Sequence, residues 1–387
     1  MITTFYPPHH FGGDGVAVQH LSRALASRGH DVTVICDVDA WRTLSAGPEP
    51  PPVDEPPGIT VIRLRSPLGP VGPTLNHQLG RPTLHARRIR RIVADGAFDV
   101  VHFHNVSLIG GPGLLGVGGD ALLLYTAHEH WLVCPTHVLW RYDGVPCPER
   151  RCLRCQFAAG RPPQPWRAGG GLDRALSSID VFFAGSAFSA QIHADFGFSR
   201  PMTVLPPGVP DRAPPDEGAP QERPYFLFAG RLEAIKGADD AAAAIASVEA
   251  DLLVAGQGSQ EIAGPNVRLL GHQDAAALHR LMHHAVAVVV PSRCYETFGI
   301  VVAEAARAGA PVIARRRGPL PDLVEQGGGL LFDDVAGLAA AMQRLLDDRD
   351  LRDRLGTSAR AAFDAHWRED RVTERYLGIL RDRGLSV

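Results

Sequence analysis

Two cations and two carboxylates stand out in the second half of the chain. Arg231 and Lys236 lie in Phe228-Ala-Gly-Arg-Leu-Glu-Ala-Ile-Lys-Gly237. Glu296 and Glu304 lie in Ser292-Arg-Cys-Tyr-Glu-Thr-Phe-Gly-Ile-Val-Val-Ala-Glu304. Lys236 is the single lysine among 39 basic residues. In a chain that otherwise uses arginine, it marks a place that wants a compact, strongly hydrated point charge. Arg231 offers a planar fork, and such a fork matches two phosphate oxygens at once. Both cations follow an apolar run that reads as a strand and precede a helical pattern. Helix-start N–H groups point at anions, so this is a natural phosphate site. Glu296 falls in a loop and Glu304 inside the helix that Gly299 starts. At ~1.5 Å per helical residue, the pair spans roughly a diphosphate with a sugar at each end. Glu304 is then placed to accept the two hydroxyls of a ribose, and Glu296 those of the second sugar. The N–H groups of Phe298, Gly299 and Ile300 open the helix between them and can face a phosphate. A capping and a solvated glutamate would show the same spacing.

Positioning these residues requires strands that end where the loops begin. Apolar runs at 32–36, 60–64, 99–103, 121–126, 181–184 and 203–205 read as strands, with amphipathic stretches such as 16–27 and 84–94 between them. The alternation resumes with strands at 225–229, 252–255, 267–270, 286–290 and 311–314. Helical stretches fall at 237–248, 275–282, 300–308 and 337–346, and 351–383 is mostly helical and charged. Such alternation argues for parallel sheets covered by helices on both faces. The chain is too long for one core. Residues 206–224 are dense in proline, which fits neither a helix nor an interior strand, so they read as a linker. The expected organisation is an α/β domain over 1–205, the linker 206–224, a second α/β domain over 225–365, and a last segment, 366–387, crossing back to the first domain. Two doubly wound domains of this kind place a ligand cleft between them, at the carboxyl ends of the strands. The opening, Met1 to Phe5, is barely one strand, as if a few residues upstream were missing.

The motifs together resemble the retaining glycosyltransferases of family 4, over nearly the whole chain. Arg231 and Lys236, Glu296-x7-Glu304 and Ala308-Gly-Ala-Pro-Val carry the resemblance in the second half. Tyr6-Pro-Pro-His-His-Phe-Gly-Gly-Asp-Gly15 looks like the family's glycine-rich loop, and Asp99-Val-Val-His-Phe-His104 like its fourth strand. Thr126-Ala-His-Glu-His-Trp-Leu-Val-Cys-Pro135 is similar to the His-Asp segment of a subgroup, with Glu129 in place of the aspartate. The resemblance implies the GT-B fold, two Rossmann-like domains facing across a cleft. It implies transfer of a hexosyl unit, with retention, from a UDP- or GDP-type sugar to a sugar, natural-product or lipid-linked acceptor. It implies that Arg231 and Lys236 hold the diphosphate, that Glu296 contacts the donor sugar and that Glu304 holds the ribose. It further implies that Gly12 and Gly13 let backbone approach the phosphates, and that His128 touches the transferred sugar. Ala255-Gly-Gln-Gly258 and Arg268-Leu-Leu-Gly-His272 fall where the family meets the base.

The chemistry suits these residues. Breaking the anomeric bond leaves an oxocarbenium-like sugar and a diphosphate gaining charge, which fixed cations stabilise. Two cations can do the work of a divalent metal, and Asp37-Val-Asp39, after the second strand, lacks the context of a metal motif. No cofactor is expected for catalysis. A nucleotide-sugar epimerase on the same fold and a non-catalytic nucleotide-sugar sensor are the alternatives. A nicotinamide dehydrogenase is not, because Gly12-Gly-Asp-Gly15 does not fit Gly-x-Gly-x-x-Gly.

Cys134, Cys147, Cys152 and Cys155 fall in a proline-bearing segment, 131–160. The spacing Cys152-x2-Cys155 suits a closed structural zinc site; free thiols and an iron–sulfur cluster fit it too. Arg141, Arg150, Arg151 and Arg154 in the same loop are placed for an anionic acceptor or for solvent. A net charge of −3 gives no sign of nucleic-acid binding. Arg81, Arg87, Arg88, Arg90 and Arg91 read as a solvated face; peripheral membrane contact is not favoured, since Ile89, Ile92 and Val93 belong to the core. His102 and His104 read as packed or site-lining residues rather than a metal pair. Arg315-Arg-Arg317 follows a strand and is placed for donor phosphate or sugar. No apolar run reaches membrane length and no leader pattern opens the chain, so a cytoplasmic protein is expected.

Overall fold

The computed structural model describes residues 1–45 and 47–387. Contacts divide the chain into unit 1, Met1–Gly208 with Thr373–Val387, and unit 2, Val209–Val372.

Unit 1 holds β1 (Val32–Asp37), β2 (Ile59–Leu64), β3 (Val100–Phe103), β4 (Leu122–Ala127), β5 (Val181–Ala184) and β6 (Met202–Val204). β1 and β2 pair in parallel, as do β3, β4, β5 and β6 in sequence order. The opening residues join the two sets. Ile2 bridges to Ile35 and to Phe103, Thr3 N–H donates to Ile35 O (3.0 Å) and His104 N–H to Ile2 O (3.0 Å). So the short first run forms no strand of its own, but single bridges at Ile2 pin it between β1 and β3. Val34, Cys36, Leu124 and Phe183 form the core with Tyr376, Leu377 and Leu380. Those last three come from the helix Glu369–Asp382, which clusters with unit 1 from Thr373 onward.

Unit 2 is one parallel sheet of β7 (Tyr225–Ala229), β8 (Asp251–Ala255), β9 (Val267–Gly271), β10 (Ala287–Val290), β11 (Val312–Arg315) and β12 (Gly329–Phe332). Its order is β12-β11-β10-β7-β8-β9. Alternate residues feed opposite faces. Leu227, Val288 and Val290 pack with the helix Ile300–Arg307 through Val302, Ala303 and Ala306. Phe226, Phe228 and Val289 pack with the helix Ala238–Ile245 through Ala241, Ala244 and Ile245. Full burial of each large aliphatic contributes about 1.5–3 kcal/mol. The chain leaves β7 to one side and, after β9, returns to build β10 on the other. That reversal is a topological switch point, where ligands bind in open α/β sheets.

Residues 209–224 are not a free tether. Val209 is fully buried in the unit 2 core and donates to Trp367 O (2.9 Å). Ala213 O meets His279 Nε2 (3.1 Å), and Asp211 pairs with Arg360 (2.8 Å). Proline removes donors from this stretch, but its carbonyls still serve partners on unit 2. Among the described residues, no helix is long and apolar enough to cross a membrane.

Asp37 and Asp39 have structural work. Asp37 caps the helix Val38–Leu44 by accepting from Ala40 N–H (3.2 Å), and Asp39 accepts from Ser66 N–H (2.6 Å). Burial pushes the Asp37 carboxyl from 3.8 up to about 7, and one of its oxygens has no partner among the described residues. A raised acid favours the fold while protonated. Its contribution is complete below the unfolded value and falls away as pH rises toward about 7. Asp37→Asn keeps the cap without the charge. Between pH 4 and 7.5 the wild type should therefore lose about 2–4 kcal/mol of unfolding free energy relative to this variant. Denaturant melts at the two pH values check it; parallel pH dependence in both proteins would refute it.

Candidate functional site

The loops that follow β7 and β10 carry the residues singled out in unit 2. After β7, Lys236 ends a short 3-10 turn, Ala234–Lys236, and Gly237 follows with φ of +71°. A Cβ on Gly237 would sit 2.3 Å from Pro291 O, so the two loops press backbone on backbone. Arg293 N–H donates to Ile235 O (2.8 Å). The Arg293 guanidinium bonds Ala234 O (3.0 Å), Asp239 (2.7 Å) and Asp240 (2.6 Å). Arg315 bonds the same Asp240, Pro291 O (3.2 Å) and Asp333 O (3.0 Å). These contacts brace the site from below, and they use the Arg315 side chain that the sequence placed toward the donor.

Above that brace, Lys236 Nζ donates to Glu296 Oε1 (2.6 Å), and Ser292 Oγ donates to the same oxygen (2.7 Å). Burial alone would raise the Glu296 carboxyl, but the Lys236 ammonium and the two hydrogen bonds more than offset it and hold it below its usual range. Burial likewise works against the Lys236 charge, and Glu296 overcomes it and raises the ammonium. Both groups are therefore charged at neutral pH. Sequence reasoning found each partner but not their pairing. Arg231, half exposed, bonds Glu233 (2.6 Å).

Gly299 has φ of +101° and caps the helix Ile300–Arg307 without a side chain. The Phe298 ring is buried in the core against Trp367, with centroids 6.3 Å apart, so only its backbone is left for a ligand. The helix Ala238–Ile245 differs. Asp239 and Asp240 fill its first turn, so the helix start after Lys236, expected to help hold phosphate, already carries acidic groups. The Gly299 start is the one with no acid in its first turn. Glu304 lies in that helix; burial raises its carboxyl, and the Arg307 and Arg212 charges work against the rise.

In unit 1, Gly12 caps the helix Gly13–Ala26 in an extended conformation with no side-chain cap. A Cβ on Gly12 would meet only Asp14 Oδ1, at 3.9 Å. Asp14 accepts from Gly15 N–H (2.8 Å) and from Asn105 Nδ2 (3.2 Å). His128 follows β4, with its Nε2 2.9 Å from His104 Nδ1. Burial lowers its basicity, and Asp14 and Glu129 oppose that. Glu129 bonds His137 Nδ1 (3.0 Å). His102 and His104 are both buried, as packed residues should be.

Cys134, Cys147, Cys152 and Cys155 line one pocket with Arg150, Arg151 and Phe196. All four are free thiols, and burial raises those of Cys147 and Cys152. Among the described residues, no three His, Cys, Asp or Glu side chains are already placed to hold a metal ion.

Comparison with known proteins accounts for both units. Residues 11–212 match the family described as Glycosyltransferase Family 4, and residues 211–362 match Glycosyl transferases group 1. The glycogen synthase of Mycobacterium tuberculosis is 30% identical, over 99% of this chain and 95% of that protein. The D-inositol 3-phosphate glycosyltransferase of Xylanimonas cellulosilytica is 30% identical, over 91% of this chain and 87% of that protein. Among solved structures, sucrose-phosphate synthase from Thermosynechococcus elongatus superposes with a TM-score of 0.72 at 21% identity, covering 98% of this chain and 97% of that one. Anabaena HepE, solved with UDP, gives 0.63 at 16% identity and covers 98% of each chain. The chain belongs to glycosyltransferase family 4: it is a glycosyltransferase of the GT-B fold that draws on a nucleotide sugar.

Proposed function

We propose that unit 2 binds the nucleoside diphosphate of a UDP- or GDP-linked hexose and that the sugar passes, with retention, to a hydroxyl of a sugar-containing or small-molecule acceptor. The observation that carries this reading is the Lys236–Glu296 pair, set where the sheet order reverses and beside the uncapped start of the helix Ile300–Arg307. As the anomeric bond breaks, negative charge grows on the leaving oxygen. Lys236, Arg231 and the Phe298–Ile300 amides stabilise that charge more than they stabilise the bound donor, which is how they lower the barrier. Glu296 holds Lys236 in place and accepts hydroxyls of the hexose; Glu304 accepts those of the ribose. In unit 1, Gly12 and Gly13 bring backbone N–H groups to the phosphates, and His128 bonds a hydroxyl of the transferred sugar. Front-face attack lets the departing phosphate take the acceptor proton. The fixed cations replace a metal, and Asp37 and Asp39 are spent on a helix cap and a backbone bond. Thermal shift against a panel of nucleoside diphosphates and their sugars identifies the donor. Proton NMR of the product reads the anomeric configuration; an inverted product would refute retention.

Glu304→Ala should weaken binding of the matching nucleoside diphosphate about 10- to 100-fold by calorimetry, the worth of charge-assisted bonds to a diol. Unchanged affinity would remove Glu304 from the ribose.

For the cysteines, the proposal is that the four thiols draw together over the pocket they line and close on one zinc ion. It rests on their convergence from three pieces of one loop. Elemental analysis of the purified protein should find about one zinc per chain, released in Cys152→Ser; zinc-free protein with four titratable thiols would contradict it.

A further inference from the structure

Four rings run in a file through unit 1: Tyr376, His102 and His104, all three buried, and His128, partly buried at its end. Tyr376 and His102 stack with centroids 5.6 Å apart, His102 and His104 lie 4.0 Å apart, and His104 and His128 lie 5.2 Å apart. His102 is satisfied on both edges, with Nε2 2.8 Å from Thr126 Oγ1 and Nδ1 3.2 Å from the Tyr376 hydroxyl. Hydroxyls donate or accept, so they fix nothing about His102.

His104 is different. Its Nδ1 meets His128 Nε2 at 2.9 Å, while its own Nε2 is buried with no hydrogen-bond partner among the described residues. One proton must lie between the two rings. If His128 supplied it, a neutral His104 would have to carry its proton on Nε2, as a buried N–H with no acceptor. If His104 supplies it, only a bare lone pair is left inside. An orphaned buried N–H is the rarer and costlier defect. Burial first, and then the nearby His102, His128 and amino-terminal groups, hold His104 well below its usual range and so favour its neutral form.

We infer that His104 is a positioning residue: its Nδ1–H donates to His128 Nε2, so that neutral His128 keeps its proton on Nδ1 and presents a donor, not an acceptor, to the sugar. The second ring nitrogen is set by what the first one bonds. With the tautomer reversed, His128 would offer the sugar hydroxyl a lone pair, and that hydroxyl would have to turn its proton toward the ring. This inference rests on the proposed contact between His128 and the transferred sugar.

The test begins with the wild-type protein. Nitrogen-15 NMR of histidine-labelled protein at neutral pH should show His128, assigned by its loss in His128→Gln, protonated on Nδ1. His104→Phe keeps an aromatic ring and removes the donor. It should lower kcat about tenfold, the worth of one hydrogen bond, with the donor KM within about twofold. His104→Asn carries an N–H where Nδ1 stood, and should restore most of kcat and the Nδ1-protonated signal. Thermal melts of each variant separate these effects from unfolding. A wild-type His128 protonated on Nε2, or an undiminished kcat in a folded His104→Phe, overturns the inference. Full activity in His128→Gln would instead remove the sugar contact, while the NMR result on the wild type would still decide the tautomer.

Discussion

Lys236→Ala lowers kcat about 10²- to 10³-fold in steady-state transfer assays, the usual cost of removing one preorganised group that faces developing charge. The structure adds a second consequence. Glu296 loses the ammonium 2.6 Å away and keeps only Ser292 among its two hydrogen-bonding partners. Burial then acts on Glu296 with less opposition, and its carboxyl rises. In the wild type, Glu296 is a lowered acid, so its contribution to stability is present above the ordinary carboxylate range and is lost as pH falls through its folded value. Lys236 is a raised base, and its contribution is lost only as pH climbs through its own folded value. The pair is therefore intact through neutral pH, and the variant's stability should become sensitive to pH there. Adding Glu296→Gln to Lys236→Ala should recover stability but not turnover. Lys236→Arg should be partly active, because a fork can carry the charge but not the compact geometry. A folded Lys236→Ala enzyme with wild-type kcat would remove the role assigned to this lysine.

Gly237→Ala destabilises unit 2 by about 2–4 kcal/mol and lowers activity with it. Two independent costs meet here. The backbone is left-handed, with φ of +71°, and the new methyl would lie 2.3 Å from Pro291 O. That oxygen belongs to backbone in the loop after β10 and also accepts from Arg315 Nε, while Arg293 of the same loop bonds Asp240. Relieving the clash must move the loop that carries Glu296 relative to Lys236. Gly378→Ala is the control. It sits in a helix with nothing within 4 Å of the added methyl, and should stabilise by up to about 1 kcal/mol. Thermal melts and kcat on both variants check the contrast. Equal melting of Gly237→Ala and the wild type would contradict the close approach of the two loops.

Much of this was legible in the residues. The central strands β7 and β10, and β8 after Asp251, are apolar runs bounded by Gly230, Pro291 and Gly256, as buried strands of a parallel sheet are. Gly299 announced the helix at Ile300. The edges were harder. β12 begins at the last residue of Gly327-Gly-Gly329 and is not among the strands expected from sequence; β11 offers it a ladder. Met1 to Phe5 reads as barely one strand, and in the structure it makes only single bridges from Ile2 to β1 and β3. Proline density marked 206–224 correctly as irregular, yet gave no hint that Val209 anchors in the core of unit 2.

The site divides the same way. Arg231 and Lys236, and Glu296 and Glu304, could be singled out because each pair sits in one short motif, while their expected roles come from the family resemblance. The Arg293–Asp240–Arg315 brace joins residues 53 and 75 positions apart, and only the return of the chain to β10 brings them together. His104 could be placed at the end of a strand from sequence; its bond to His128 depends on the register of β3 with β4, which alternation does not specify.

The central claim is that the pyrophosphate of the donor lies on Lys236, Arg231 and the Phe298–Ile300 amides. A crystal structure with the intact nucleotide sugar identified by thermal shift tests it most directly. Lys236 Nζ should stand within hydrogen-bond distance of a phosphate oxygen, with at least one of those amides on the same group. A donor whose phosphates lie away from both cations, with Lys236 serving Glu296 alone, would contradict it.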